Sequence, residues 1–426
     1  MRLVLIDSLC EKRSYFYPLV FGRPIWELRC GMSSLEDKLM TRIRPDDVAY
    51  FVPDYMADYY KTRTDKPVND VTSLNDEDLM LVDPRIKADS FNVPGNDKSQ
   101  IGLDDEGQVL YAQINKKDNK GWVADDVETF ITTAKSSLPN VPCKLPTWQY
   151  TWDLVLANAE QITADFKAAG RSGIEGEMEE PVTIRGNKKD VYIAPKAKLH
   201  PMVVIDAENG PIYIDEGVEI HPFSRIEGPC YIGKDSILLG AKCREGNSIG
   251  PMCRIGGEVE ESIIHGYSNK YHDGFLGHSY VGEWINLGAL TTNSDLKNDY
   301  SNVSVMLDGR KSIDTGSTKV GSLIGDHTKT SIGTLLNTGS YLGAMAIIMA
   351  TGKPLPKHIP SFAWFIEGNV TKGFGKRTLY GTAQKAMSRR GYEWSAEAEA
   401  MWNAVFEMTS PVRNKAIKKG RRRLLT

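Results

Sequence analysis

Ile212-Tyr-Ile214-Asp-Glu-Gly-Val218-Glu-Ile220-His-Pro-Phe-Ser224-Arg-Ile226-Glu-Gly-Pro-Cys230-Tyr-Ile232-Gly-Lys-Asp-Ser236-Ile-Leu238 is the stretch that decides the fold. An aliphatic side chain returns every six residues, at Ile214, Ile220, Ile226, Ile232 and Leu238, and a small residue (Val218, Ser224, Cys230, Ser236) follows four places after each of the first four. The same step joins Ile193, Leu199 and Ile205, then Ile249 and Ile255, and later Ile324, Thr330, Leu336, Leu342 and Ile348. A six-residue period with an inward anchor is the mark of a hexapeptide β-helix, in which three short flat strands make one coil of a triangular prism. One coil cannot bury its own anchors, so stability comes from stacking. The competing β-sandwich would alternate with period two over longer runs.

Outward from this core, residues 181–365 keep the pattern and 171–180, rich in Gly and Glu, is expected to be a linker. Residues 1–170 differ: Leu3–Ile6, Val48–Val52, Leu79–Val82 and Val109–Ile114 are predicted strands. Ser34–Arg44, Val123–Ser136 and Gln149–Ala169 are predicted helices, the last from Trp152, Val155, Leu156, Ala159, Ile162 and Phe166 at steps of about three to four. Alternating strands and helices predict an α/β domain with a parallel or mixed sheet. Residues 366–426 return to helix, with an apolar stripe from Trp394 to Phe406 that could cap an assembly or a neighbour's end. The basic run Lys418, Lys419, Arg421, Arg422 and Arg423 is expected to be a solvated helix end.

The chain has 426 residues and a net charge of −3, with 41% hydrophobic and 25% charged residues. That balance argues for a folded chain and against nucleic-acid or anionic-membrane binding through bulk charge. No apolar run approaches the ~20 residues of a spanning helix. Six cysteines without a C-x-x-C pair suggest reduced thiols and a cytoplasmic protein. The opening Met1-Arg-Leu-Val-Leu-Ile-Asp7 reads as a strand rather than a signal peptide.

Chemistry is expected where the repeat loses phase, in Ser268-Asn-Lys-Tyr-His272-Asp-Gly-Phe-Leu-Gly-His278-Ser-Tyr-Val-Gly282. An imidazole titrates near neutrality and can take a proton from an attacking amine, although a hydrogen-bonded structural histidine is as good a reading of His272 from the residues alone. The run from His272 to Asp295 resembles the acetyltransferase motif of the bifunctional enzymes that make UDP-N-acetylglucosamine, H-x-x-Y-L-G-D-A-x-I-G-x-x-x-N-I-G-A-G-T-x-x-x-N-Y, and aligns with it without a gap. That resemblance implies that His272 is the general base on the amine of glucosamine-1-phosphate and that Asn286 contacts the sugar. It implies further that Ala289 meets the acetyl-CoA thioester through its backbone and that Asp295 orients the histidine. Phe275 stands where the family has a sugar-contacting tyrosine. Lys270 and Arg254 are the candidates for the substrate phosphate.

The N-terminal half lacks the usual L-x-x-G-x-G-T-R loop. Pro18-Leu-Val-Phe-Gly-Arg23-Pro-Ile-Trp-Glu-Leu-Arg29-Cys-Gly31-Met-Ser-Ser-Leu-Glu-Asp-Lys38 instead resembles the opening of a divergent bacterial branch of the same family. The resemblance makes Arg23, Arg29, Gly31 and Lys38 nucleotide-binding candidates, with guanidinium forks suited to phosphate oxygens. On the residues alone, Arg23 and Arg29 read better as anchors of helices to acidic neighbours. Nucleotidyl transfer needs Mg²⁺, for which Asp83, ending a strand, and Asp153 are the expected ligands, the alternative being ordinary turn residues.

Together these readings predict an α/β nucleotidyltransferase-like domain followed by a left-handed parallel β-helix and a helical tail. The left hand is implied by the family. The expected function is N-acetylation of glucosamine-1-phosphate by acetyl-CoA, then uridylyl transfer from UTP. The partners are small molecules and, in the manner of hexapeptide acyltransferases, two further copies of the chain in a homotrimer. One alternative is a nucleotidyltransferase for another sugar or nucleotide with the prism only a trimerisation scaffold. The other is a non-catalytic sugar-nucleotide-binding regulator.

Overall fold

The computed structural model describes residues 1–95, 98–349 and 352–424. Six strands, β1 (Arg2–Ile6), β2 (Asp47–Phe51), β3 (Leu79–Val82), β4 (Gln100–Leu103), β5 (Val109–Ile114) and β6 (Asn140–Pro142), form the N-terminal sheet in the order β2-β1-β3-β5-β4-β6. β1 runs parallel to β2 and β3, while β3–β5 and β4–β5 are antiparallel, so the sheet is mixed. Buried Leu3, Val4, Leu5, Leu79, Met80 and Leu81 explain the near-continuous aliphatic runs of β1 and β3, which are covered on both faces.

The helices are α1 (Leu35–Ile43), α2 (Asp54–Lys61), α3 (Val127–Ser137), α4 (Thr151–Leu156) and α5 (Asn158–Ala169). Ser34 starts α1 with a reciprocal capping box to Asp37, and Arg44 in the left-handed region ends it. The long helix expected over Gln149–Ala169 is two, interrupted at Ala157.

From Gly173 the chain winds into a parallel β-solenoid whose third face stacks ten strands, one per coil. The hexapeptide anchors line its axis: Ile193, Ile214, Ile232 and Ile249 pair in successive rungs and are fully buried. The expected linker at 171–180 is instead the first coil, because Gly173–Ile174 and Glu177–Met178 pair with 192–193 and 198–199. Backbone ladders need no apolar side chains, so a Gly/Glu-rich segment could join them.

After Leu238 the coils tighten. Ile232 pairs with Ile249, Ile249 with Ile264 and Ile264 with Val281, steps of 17, 15 and 17 residues by subtraction, with a register shift between Leu239 and Lys242. An excursion between 294 and 321 carries a small antiparallel hairpin, 304–305 with 313–314, before the regular step resumes at Leu323.

The N-terminal domain docks on the third face. Tyr192, Tyr213 and Tyr231 form an aromatic ladder there, and Tyr280, completely buried, joins Ile25, Leu28, Trp152 and Leu323 in one cluster. The C-terminal helices α6 (Lys376–Ser388), α7 (Ala396–Met408) and α8 (Ser410–Leu424) wrap the last coils. The stripe on α7 does not cap a neighbour. Met401, Trp402 and Val405 are buried with Met56 and Tyr60 of α2 and with Phe362 of the solenoid, fastening the chain's two ends together.

Candidate active site

His272 stands at the corner between the first solenoid face (strand 269–270) and the second (275–277) of the sixth coil, exposed to solvent. Its backbone is held tightly, while its ring, edge-on to Tyr271, is exposed. Lys270 Nζ donates to the carbonyls of His272 at 2.6 Å and Gly256 at 2.8 Å, and Leu290 N donates to the carbonyl of Asp273 at 2.8 Å. Gly274, with φ +131°, lies so close to the next coil that a Cβ there would sit 2.1 Å from the Thr291 carbonyl oxygen. Only glycine permits that approach.

Lys270 was expected to meet the substrate phosphate; it points into the prism instead. In a two-residue strand the side chains alternate, and Lys270 takes the anchor slot in register with Ile255, while Asn269 faces out. Burial lowers the Lys270 ammonium to about 8. Asn293, paired with Leu336, and Thr330, between Leu287 and Ile348, also occupy anchor slots. Asn293 bonds to both backbone groups of Gly277, and Thr330 shares a hydrogen bond with Thr291. Polar interior residues in the sixth to eighth coils thus pin the corners around His272.

Asp295 does not orient His272. Its carboxylate receives His278 Nδ1 at 2.8 Å, while Glu261 receives Nε2 at 2.8 Å. Burial disfavours the charged ring, yet the two carboxylates prevail and raise His278 to about 9, so it carries its proton at neutral pH and cannot act as a base. A histidine in place of the motif's aspartate recruits Asp295 to itself.

Asn286 lies in register with Asn269, one coil above and three residues before His272, and Ala289 lies at the corner of that same coil. His272, Asn286 and Ala289 are therefore gathered on two consecutive coils. Asn286 lines a cavity between the first face and α6. Arg254, one rung below Asn269, donates to the carbonyls of Asp235 and Cys253 and is half-buried. Phe275 starts the second-face strand, half-buried, its ring beside Gly277.

The predicted nucleotide contacts are not assembled. Arg23 is buried between Asp326 and Glu283 of the solenoid, at 3.0 Å from each. Burial opposes charge on Glu283, but Arg23 and His265 hold its carboxyl well below the usual range. Arg29 donates to the Met32 carbonyl at 2.7 Å and lies over the Tyr231 ring. Gly31 N donates to Asn158 Oδ1 at 2.7 Å, and Lys38 is paired with Asp165. The segment 18–31 is thus the seam between domains: Arg23 takes the anchoring alternative with acidic partners, whereas Arg29 is held by a backbone carbonyl and an aromatic ring.

Asp83 and Asp153 do not meet around a metal. Asp83 lines a cavity of about 490 Å³ at the carboxyl ends of β1 and β3 but is engaged by Arg85 at 2.6 Å. Asp153 accepts the backbone N–H groups of Gln149 and Tyr150 at the start of α4. The single group of three metal-ligating side chains among the described residues is His200, Glu219 and His221, on the solenoid. This pair of aspartates does not fit a shared Mg²⁺.

Residues 3–172 match a sugar nucleotidyl transferase family profile. The chain is also 36% identical over 91 residues to a bifunctional sugar-1-phosphate nucleotidylyltransferase/acetyltransferase of Sulfurisphaera tokodaii, covering 21% of this chain and 22% of that protein. It is 31% identical over 178 residues to the bifunctional protein GlmU of Methanococcus aeolicus, covering 38% and 40%. With GlmU of a Jannaschia species it shares 32% over 111 residues, 25% of this chain and 24% of the relative. The chain therefore spans between 22% and 40% of the length of these relatives. The nucleotidyltransferase-like half shows what the sequence reading missed: its deepest acid is Asp7, directly after β1, fully buried against Arg13 Nε at 3.0 Å and raised to about 6, chiefly by burial. The signal for it, an acid directly after an aliphatic strand, was in plain view.

Proposed function

We propose that this chain is a two-part transferase of sugar-nucleotide biosynthesis, acetylating glucosamine-1-phosphate on the solenoid and transferring uridylyl from UTP in the N-terminal domain. The observation that carries the acetyl-transfer half is the corner at His272, an exposed imidazole on a rigidly pinned turn, with Asn286 and Ala289 on the adjoining coil. His272 takes the amine proton as the nitrogen attacks the thioester carbonyl; the new N–C bond keeps the acetyl group, and the C–S bond breaks with its electron pair leaving on the coenzyme A thiolate. Asn286 orients the sugar, and the Lys270 tie keeps the base in place.

The nucleotidyl-transfer half rests on the family match over residues 3–172, with the ligand entering at the carboxyl edge of β1 and β3, beside Asp83. Mg²⁺ bound to a triphosphate would neutralise phosphate charge there.

A homotrimer is supported by exposed apolar side chains along the corner that carries His272. Met202 and Phe223, on the second and third coils, are 55% and 78% exposed, and Leu290 and Ile332, on the seventh and eighth, are 60% and 73% exposed, two apolar pairs that water disfavours and a second copy would cover. A cytoplasmic location is supported by six free thiols, four of them buried. Among the described residues no helix is long and apolar enough to cross a membrane.

The test is mass spectrometry of the full chain with glucosamine-1-phosphate, acetyl-CoA, UTP and Mg²⁺, repeated with His272→Ala. The wild type is expected to yield UDP-N-acetylglucosamine. The variant, altered at an exposed side chain, is expected to lose acetyl transfer while still converting supplied N-acetylglucosamine-1-phosphate. Equal loss of both reactions would overturn the two-site reading.

A further inference from the structure

Arg254, Asn269, Asn286 and Lys329 are consecutive outward rungs of the first solenoid face, each in register with the next. α6 and the turn after it lie across this ladder and enclose a cavity of about 350 Å³. Asn269, Asn286 and Lys329 line it from the solenoid, and Lys385, Arg389 and Arg390 from the helix side. Among the described residues the lining holds four cationic side chains and no carboxylate.

Such an arrangement has no structural use of its own. Like charges gathered in a partly desolvated space repel, and each would rather be in water. Burial pushes the Lys329 ammonium down to about 7, and its donors reach only the carbonyls of Trp284 and His327. Burial, together with repulsion from Arg254 and Arg389, lowers Arg390 as well. An anion between the helix and the face removes both penalties.

The polar groups are also oriented for a ligand. Arg390 Nη2 donates to Asn269 Oδ1 at 2.9 Å, and Asn269 Nδ2 donates to Asn286 Oδ1 at 3.3 Å. This relay uses up the Asn286 oxygen and leaves its two N–H donors for the cavity. Two guanidinium forks beside two ammonium groups match the oxygens of a tetrahedral dianion better than a carboxylate, which offers only two.

We propose that α6 is one jaw of a phosphomonoester clamp, with Lys385, Arg389 and Arg390 closing a dianionic phosphate against Lys329 and Asn286. Two co-substrates of the reaction proposed above carry this group, the sugar 1-phosphate and the 3′-phosphate of coenzyme A. The clamp itself stands on the cavity's charge, and only its assignment to those molecules rests on the acetyl-transfer reading. The C-terminal segment then serves the site directly, and the phosphate contact expected of Lys270 lies at the end of α6 and in the turn after it, more than a hundred residues later.

Isothermal titration calorimetry of the full-length chain tests this, using glucosamine-1-phosphate, coenzyme A, dephospho-coenzyme A and inorganic phosphate as probes. Lys385 and Arg389 are exposed and Arg390 half-buried, so Arg389→Gln/Arg390→Gln is expected to fold, and an unchanged thermal midpoint checks this. Removing two charge-assisted hydrogen bonds to the phosphate corresponds to a weakening of about a hundredfold in Kd. Loss confined to glucosamine-1-phosphate and inorganic phosphate assigns the clamp to the sugar. Loss for coenzyme A but not for dephospho-coenzyme A assigns it to the 3′-phosphate. Affinities within about twofold of wild type for every probe, or no binding of any probe to the wild type, overturn the proposal. Clamp-dependent binding without acetyl transfer by the wild type would instead leave the clamp standing and remove the acetyl-transfer reading.

Discussion

Replacing His278 by Gln removes a proton-holding group from the middle of the solenoid wall, and the structure says how the cost varies with pH. His278 is buried between Asp295 and Glu261, each 2.8 Å from a ring nitrogen. Burial disfavours the imidazolium, but these two carboxylates raise the group from 6.5 to about 9. Because the folded value lies above the unfolded one, the stabilisation is fully present below pH 6.5 and disappears as pH rises through 9. At about 1.4 kcal/mol per pH unit, the shift from 6.5 to about 9 corresponds to about 3 kcal/mol. Both neighbours have lowered values, so they stay ionised across this window and do not distort it. The measurement is urea unfolding of wild type and variant from pH 5.5 to 10, taking the difference in ΔG at each pH. Subtraction also cancels Lys270, whose folded value is depressed to about 8 and whose destabilising effect is relieved as pH rises past it. The difference is expected to be largest at low pH and to shrink by about 3 kcal/mol between pH 6.5 and 9. A difference that stays flat over that window would refute the triad as a charged unit.

Three further outcomes follow from the same geometry. Arg23→Met strands Asp326 and Glu283 without their cation and should cost roughly 3–5 kcal/mol in urea unfolding, most of it recovered when Asp326→Asn and Glu283→Gln are added; a triple variant no more stable than the single one would contradict the buried pairing. Lys270→Met fills the anchor slot with a side chain of similar length but releases the His272 carbonyl. Acetyl transfer should fall by about tenfold or more in kcat with little change in KM, as a loss of positioning predicts, and an unchanged kcat would remove Lys270 from that role. Phe223→Glu with Leu290→Glu places one charge on each exposed apolar pair and should convert the proposed homotrimer to monomers in light scattering; an unchanged mass would show that these pairs are not the interface.

What the sequence made legible, and what it hid, divides along physical lines. The solenoid was readable because its anchors face a common axis, and a buried side chain at fixed spacing leaves a periodic trace. Ile193 through Leu238 and Ile324 through Ile348 fall in that class, and all but Thr330 belong to one apolar core. Arg23 was not readable, because a guanidinium suits a phosphate and a carboxylate alike, and its partners Glu283 and Asp326 lie about three hundred residues away in sequence. The same ambiguity covers Asp83, which ends a strand where a ligand would be sought and yet closes on Arg85 two residues later. Lys385, Arg389 and Arg390 lie within six residues at the end of α6 and in the turn after it, but that cluster has meaning only once Asn286 and Lys329 are seen across the gap.

The middle of the solenoid shows why the most informative stretch was the one where the period failed. The six-residue phase is lost between Ile255 and Ile324 through shortened coils and the 294–321 excursion, and there Lys270 and Asn293 put polar groups in anchor slots, as Thr330 does at the start of the regular block that follows. Each of these residues spends its polar atoms on backbone or hydroxyl groups at the coil corners: Lys270 on Gly256 and His272, Asn293 on Gly277, Thr330 on Gly288 and Thr291. An aliphatic anchor fills space equally well but leaves those carbonyls and amides to water, and a corner so left can breathe. Placing a base on a turn and keeping it there requires fixed backbone, and in a fold built of identical coils the available means is to replace anchors with groups that bind the corners from inside. In this fold the broken period and the candidate site fall on the same coils, where altered coil lengths meet polar anchors.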